Sequence, residues 1–332
     1  MDFTLLHARR PMKICFTPRH FQHKSQQMLR IAQEIIDEFE ADGYILTLRQ
    51  LYYQFVARDL IENSQRAYSR LGALISSGRL SGNVSWAAIE DRTRRAATQP
   101  NWDSPGDIIK SAAYGFNLDR WEGQDTRVEI WVEKEALAGV FSRVAQELGV
   151  TLLSCRGYLS ASAMYSAAER AWNANQEHMN FQILHFGDHD PSGMDMTRDI
   201  QDRMELFCSG SGVYVNNPRS TGFTPDAVCR VDRVALNMDQ IREYNPPPNP
   251  AKLTDTRSHG YIQEYGKSSW ELDALEPRVL ADLAKARVQA CISDPGLFAD
   301  REAEQAEGRE LLRAAARDWD NIALKLRPTL GQ

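Results

Sequence analysis

Three acidic residues stand where two apolar segments give way to polar ones. Glu133 closes residues 127–133 (RVEIWVE), and Asp188 and Asp190 follow residues 181–187 (FQILHFG). Carboxylates with no matching set of histidines or cysteines are hard oxygen donors, which favour Mg2+ over zinc. Such a site keeps waters, accepts phosphate oxygens and stabilises charge on attacking and leaving oxygens. Two aspartates directly after a buried strand also repel each other unless a cation lies between them. The alternative is that these acids cap helices, where carboxylates are welcome. His189 lies between the aspartates, but strand alternation points it away from them, so it is assigned a structural role.

A second candidate lies upstream. Leu48, Leu51, Tyr52, Phe55 and Val56 recur at the spacing of a buried helical stripe. Tyr52 belongs to that stripe. At roughly 100° per residue Tyr53 falls more than a quarter-turn away, one turn after Arg49. The pattern therefore predicts an inward Tyr52 and an exposed Tyr53 beside a guanidinium. A phenol so placed can attack a phosphodiester, with Arg49 holding the phosphate; an ordinary surface tyrosine is the alternative. Between residues 42 and 98 eight arginines (49, 58, 66, 70, 79, 92, 94, 95) outnumber five acids (42, 59, 62, 90, 91). Arginine is the better phosphate partner. Arg49, Arg70, Arg79, Arg92, Arg94 and Arg95 are the candidate DNA contacts, although a run such as 92–95 also suits a plain solvated face.

The elements that must position these groups can be read from periodicity. Residues 1–24 form a basic arm. Helical spacing begins at Met28, a second helix capped by Thr47 runs through Val56, and a third covers 64–77. Residues 84–86 read as a short strand, which completes the outline of a winged helix over 25–98. Residues 99–126, with Pro100, Pro105 and Gly106, read as a linker containing some helix. From 127 strand and helix alternate: strands at 127–133, 150–155, 181–187 and 229–236, with helices between. That order predicts an α/β domain with a doubly wound parallel sheet, whose ligands lie beyond the carboxyl ends of the strands. Beyond Asn245 a PPPNP stretch leads to a mostly helical extension. The acids of residues 270–275 (WELDAL) are read as helix caps rather than as part of the site.

With 332 residues the chain has room for two domains. Its net charge of −6 excludes a wholly basic nucleic-acid binder but not local patches. Cys15, Cys155, Cys208, Cys229 and Cys291 contain no Cys-x-x-Cys pair, so neither a zinc site nor a disulfide framework is indicated. The N-terminus has no signal-peptide core and no stretch approaches a membrane span, which predicts a cytoplasmic protein; nucleoid association is expected only from the candidate DNA contacts. Residues 260–268 are the nearest approach to a phosphate-binding loop, with one residue too many between the glycines.

Together these motifs resemble the topoisomerase VI A subunit and its meiotic double-strand-break relative. Arg49-Gln50-Leu51-Tyr52-Tyr53 is similar to that family's Arg-Asp-Ile-Tyr-Tyr, with Gln50 in place of the acid. Val132-Glu133-Lys134-Glu135-Ala136 resembles the Val-Glu-Lys-Asp-Ala start of its TOPRIM domain. Residues 187–195 resemble its Asp-x-Asp-Pro-x-Gly segment, and Arg156-Gly157-Tyr158 its glycine turn. The resemblance spans about residues 25–210, and the length is nearer the orphan Mini-A proteins of mobile elements. It implies a Rossmann-like TOPRIM domain after a tyrosine winged helix. Glu133, Asp188 and Asp190 would be the Mg2+ ligands and Tyr53 the nucleophile that becomes linked to a 5′ phosphate. It further implies a homodimer around double-stranded DNA, in which the tyrosine of one copy faces the metal site of the other. Strand passage would need a separate ATPase subunit. Two rivals follow from the same residues: a hydrolytic TOPRIM nuclease that does not use Tyr53, and a non-catalytic DNA-binding protein with structural carboxylates. A primase suits the upstream tyrosine helix poorly.

Overall fold

In the computed structural model of the chain the described residues are 13, 15–86, 88–89, 101–208, 228–251 and 255–327. The first unit is three helices, α1 (His23–Ala41), α2 (Leu48–Ala57) and α3 (Gln65–Leu80). Local chemistry sets their starts. The Thr47 hydroxyl accepts from the Gln50 amide while Gln50 Oε1 accepts from the Thr47 amide at 2.8 Å, a reciprocal capping box. Gln50 is thus occupied at the helix start. Ser64 caps α3 through the Ala67 amide at 3.2 Å. The strand expected at 84–86 is not formed. Val84 and Ser85 are buried in a turn, and nearby pairing among the described residues is limited to isolated bridges, Cys15 with Ser81 and Leu46 with Ile89.

The second unit is built on four strands, β1 (Thr126–Val132), β2 (Thr151–Ser154), β3 (Asn180–Phe186) and β4 (Cys229–Ala235). All pair in parallel, in the order β2-β1-β3-β4. Between them run α5 (Ala138–Leu148), α6 (Ala161–Gln176) and α7 (Pro191–Cys208). The chain continues through α8 (Met238–Tyr244), a small antiparallel pair β5 (Asn249–Pro250) and β6 (Ser268–Ser269) around α9 (Ser258–Tyr265), and then α10 (Pro277–Gln289), α11 (Pro295–Arg317) and α12 (Trp319–Leu326). Among the described residues no helix is long and apolar enough to cross a membrane.

Alternation shows that both faces of the sheet are covered. Val132 and Phe186 are register partners, and the Phe186 ring meets Phe141 of α5 at 4.5 Å. On the other face Glu129 takes two bonds from Arg170 of α6, at 2.6 and 2.8 Å, and one from Trp131 Nε1 at 2.8 Å. A carboxylate in such an interior persists only when its oxygens are paired. The half-buried alternation of residues 127–133 therefore corresponds to a strand buried on both sides. Residues 99–126 also differ from a linker. α4 (Pro105–Gly115) packs along α11, and Trp121 is fully buried with Nε1 donating to Leu148 O at 2.8 Å.

The two cores meet at a short turn, residues 272–274. Leu272 and Leu275 belong to the core under the sheet, whereas Ala274 belongs to the three-helix core. Arg143 of α5 adds a polar tie, donating to the Asp42 and Gly43 carbonyls at 3.1 Å and stacking over Tyr44.

One buried group in β3 predicts a pH effect. Thr197 Oγ1 lies 2.8 Å from both His185 Nδ1 and Arg233 Nη1. Thr197 Oγ1 accepts from Arg233 and has Gly193 O at 3.5 Å as an acceptor, and His185 Nε2 is buried without a hydrogen-bond partner among the described residues. Burial, with Arg233 adding, pushes His185 down to about 3. The unfolded chain takes up this proton first, so the stability given by neutral His185 is complete above pH about 6.5 and is lost as pH falls towards 3. His185→Gln should therefore flatten the fall in urea midpoint between pH 7 and 4. Parallel curves for the two proteins would rule this assignment out.

Candidate functional site

β1 and β3 are neighbours, and their following segments leave towards α5 and α7 while β2 and β4 flank them. This is the point where a doubly wound sheet opens a crevice. Glu133 continues β1, its amide donating to Phe186 O at 2.9 Å, and Asp188 follows two residues after β3. The tight path of residues 187–193 depends on Gly193: a Cβ there would lie 2.3 Å from the Asp188 carbonyl oxygen. Arg233, from β4, buttresses the same loop by donating to the Gly187, Asp188 and Gly193 carbonyls.

Each predicted acid has protein partners. Glu133 Oε2 accepts the Asp188 amide at 2.8 Å. Asp188 Oδ1 accepts the Leu272 amide at 2.8 Å, and Oδ2 pairs with Lys134 Nζ at 2.8 Å. Asp190 Oδ1 accepts from the Gly193 amide at 2.6 Å and from Ser192 Oγ at 2.9 Å, the helix-capping role that was the alternative for it. The expected convergence is therefore partial. Among the described residues no group of three or more His, Cys, Asp or Glu side chains is arranged to hold a metal ion. His189 is turned away, as alternation predicts: Nδ1 meets Tyr261 Oη at 2.8 Å, and its backbone pairs with Trp270.

The centre of the crevice is Lys134, which pairs with Asp188, with Glu271 at 2.8 Å and with Asp273 at 3.0 Å. Burial works against its charge, but Asp273, Asp188 and Glu271 outweigh it and hold Lys134 well above the ordinary lysine range. Glu271 and Asp273 also pair with Arg49, the latter at 3.0 Å. These two acids thus join the site, whereas the sequence reading made them helix caps. Glu271 precedes the 272–274 turn without capping it, because its side chain points at two cations instead. Burial raises Glu271, but Lys134 and Arg49 together hold it below the usual carboxylate range.

Arg49 and Tyr53 are one turn apart on α2, as spacing predicts, with Nη2 3.4 Å from the phenol oxygen and the guanidinium over the ring. Tyr53 is not exposed, however; it retains only 2% of its accessible surface. α2 is covered on its outer side by the 272–274 turn and by Asn249, whose amide lies 3.5 Å from the Tyr53 hydroxyl. Periodicity within α2 carries no information about a cover that arrives 196 or more residues after Tyr53. Burial first, then Asp273 and Glu271, push Tyr53 up to about 12, with Arg49 opposing. Tyr52 is inward as expected, its hydroxyl donating to Asn63 and accepting from the Ser64 amide.

Of the other candidate DNA contacts, Arg70 is exposed on α3. Arg79 is folded back on its own unit, donating to the Trp86 and Ile89 carbonyls and stacking over the Trp86 ring at 4.9 Å. That use replaces the predicted phosphate contact. Arg92, Arg94 and Arg95 lie outside the described residues.

Among the described residues, five carboxylates (Glu133, Asp188, Asp190, Glu271, Asp273) share this region with three cations (Arg49, Lys134, Arg233), an excess of two negative charges. The strain shows in protonation. Burial, with Asp190 adding, raises Glu133; burial, with Glu133 and Asp273 adding and Lys134 opposing, pushes Asp188 up to about 7. Such a set relieves its charge by taking a proton or a cation. All five donors are hard oxygens, the donor type that Mg2+ takes, but in this arrangement no three of them converge on one point among the described residues.

Fold and site define a mixed α/β protein with a four-stranded parallel sheet and a carboxylate–cation crevice at its switch point. No protein-family model matches the chain, and no curated protein is significantly similar to it.

Proposed function

We propose that the chain is a metal-dependent DNA-cleaving transesterase, arranged as a tyrosine-bearing winged-helix unit joined to a TOPRIM-like sheet. One observation carries this reading: Arg49 and Tyr53 are tied through Glu271, Asp273 and Lys134 to Asp188 and Glu133. Tyrosine helix and strand-end acids therefore contribute to one site rather than two.

In the proposed reaction the Tyr53 oxygen bonds to phosphorus and the P–O3′ bond breaks. The electron pair leaves with the 3′ oxygen. The phenol loses a proton and the 3′ oxygen gains one, so no proton is consumed overall. Arg49 holds the transferring phosphoryl group through charge-assisted hydrogen bonds. Glu133, Asp188 and Asp190 would hold Mg2+, which when bound neutralises phosphate charge. A homodimer around double-stranded DNA and a separate ATPase subunit belong to the reading through the topoisomerase VI resemblance alone; that resemblance puts Tyr53 against the metal site of the other copy, whereas here it adjoins the acids of its own chain.

Burial of Tyr53 and its raised protonation favour a second reading, hydrolysis by the same acids with Tyr53 a bystander. The two separate in an assay of Mg2+-dependent cleavage of supercoiled plasmid, quenched with detergent and run with and without protease. Transesterification predicts DNA ends that stay protein-bound until proteolysis and that disappear in both Tyr53→Phe and Asp188→Ala. Hydrolysis predicts free ends that need Asp188 and ignore Tyr53. Intact plasmid in every lane, together with salt-dependent binding, would leave a non-catalytic DNA-binding protein.

A further inference from the structure

The Glu271 carboxylate sits between a guanidinium and an ammonium. It pairs with Arg49 Nη2 and Lys134 Nζ, and Asn249 Nδ2 approaches its second oxygen at 3.4 Å. The two cations come from different units: Arg49 from the three-helix unit, Lys134 from the turn after β1. The Tyr53 hydroxyl adjoins the same Arg49 amino group and the same Asn249 amide. Two cations, an amide donor and a hydroxyl around one anionic group are the contacts that a phosphodiester's non-bridging oxygens would take. Asp273, buried behind, also pairs with both cations and neutralises part of their charge without occupying the outer position.

We propose that Arg49, Lys134 and Asn249 form a phosphate-binding site, occupied in the free protein by the Glu271 carboxylate, which a nucleic-acid phosphate displaces. The identity of the anion rests on the DNA-cleavage reading; the occupancy by Glu271 does not. Displacement has a direct consequence for Tyr53. A phosphate in place of Glu271 lies against the phenol, whereas the carboxylate holds that position closed. Arg49 and Lys134 act here as positioning residues for the phosphate.

The test is equilibrium binding of a short fluorescently labelled DNA duplex to the full chain, in EDTA and at low salt, so that no cleavage enters. Glu271→Gln keeps the shape of the side chain and removes its charge. It should tighten binding about tenfold, because a competing like charge leaves the phosphate position. It should also steepen the dependence of log K on log salt by about one, as one more cation becomes available to the backbone. Glu276→Gln removes the same charge from the exposed residue five positions on and should stay within about twofold of wild type. Adding Arg49→Gln to Glu271→Gln should cancel the gain. Equal effects of Glu271→Gln and Glu276→Gln, or a gain that survives Arg49→Gln, would overturn the proposal, as would failure of every variant to bind. Urea midpoints of the variants verify that each is folded. Because the readout is binding without metal, a negative cleavage assay leaves the result standing, and a negative binding result leaves cleavage to be judged by the plasmid assay.

Discussion

Tyr53→Phe is expected to remove protein-linked DNA ends by at least about a thousandfold while leaving the fold at nearly wild-type stability. The chemical half of this expectation follows from deletion of the only atom that the proposed reaction joins to phosphorus. The stability half follows from geometry. The hydroxyl's two nearest donors stand at 3.4 and 3.5 Å, too long to contribute much, and the ring itself, with its edge contact to Tyr52, is kept in phenylalanine. A cost below about 1 kcal/mol is expected from urea titration. Losing the phenol also takes away a group that Asp273 and Glu271 disfavour as an anion. Covalent linkage persisting in Tyr53→Phe would sink the assignment of the nucleophile. A large loss of stability would instead mean that the phenol is a structural bond.

Lys134→Met should be the most destabilising single change in the site. Its ammonium pairs with three carboxylates, and the Asp273 side chain is fully buried with Asp188 nearly so. Removing one partner of a buried ionic group leaves its counter-charges without compensation, which costs about 3–5 kcal/mol. Part of that cost can be met by protonating Asp188, already pushed up to about 7 by burial and by Glu133 and Asp273 despite Lys134. A carboxylate raised in this way favours the folded state at low pH and disfavours it as pH rises through about 7. The deficit of Lys134→Met relative to wild type is therefore expected to be larger at pH 8 than at pH 6. A loss of less than about 1 kcal/mol at both values would show that the crevice holds its acids by other means.

How much of this was legible in the sequence depends on how local the signal is. Residues 181–187 are apolar and bounded by turn residues, and they appear as β3 within one residue. The cap at Thr47 places α2, and the helical spacing from 64 places α3. β1 and β3 are neighbours in the sheet, an adjacency that strand order along the chain does not specify, and this is why Glu133 and Asp188 share a crevice. What escaped is what comes from elsewhere in the chain. Lys134 stands beside Glu133 in the same motif, yet nothing local shows that it gathers Asp188, Glu271 and Asp273. The i, i+2 spacing of Glu271 and Asp273 was visible, but capping is the cheaper explanation of acids near a helix start. Arg233 carries no local signal of a role, and the carbonyls of residues 187–193 give it one. Tyr53 was placed on the exposed side of α2 because a helical wheel counts its own residues and not those that later cover them.

The turn at residues 272–274, which puts Ala274 into one core and Leu272 into the other, also imposes an order in time. A ribosome makes Arg49, Lys134 and Asp188 well before it makes Glu271. At about 5–20 residues per second the intervening stretch adds a delay on the order of ten seconds. Through that interval Arg49 has been synthesised without Glu271 and Asp273, and Lys134 has Asp188 alone of its three partners. Synthesis of residues 271–273 is thus also the step at which these two cations gain their shared partners.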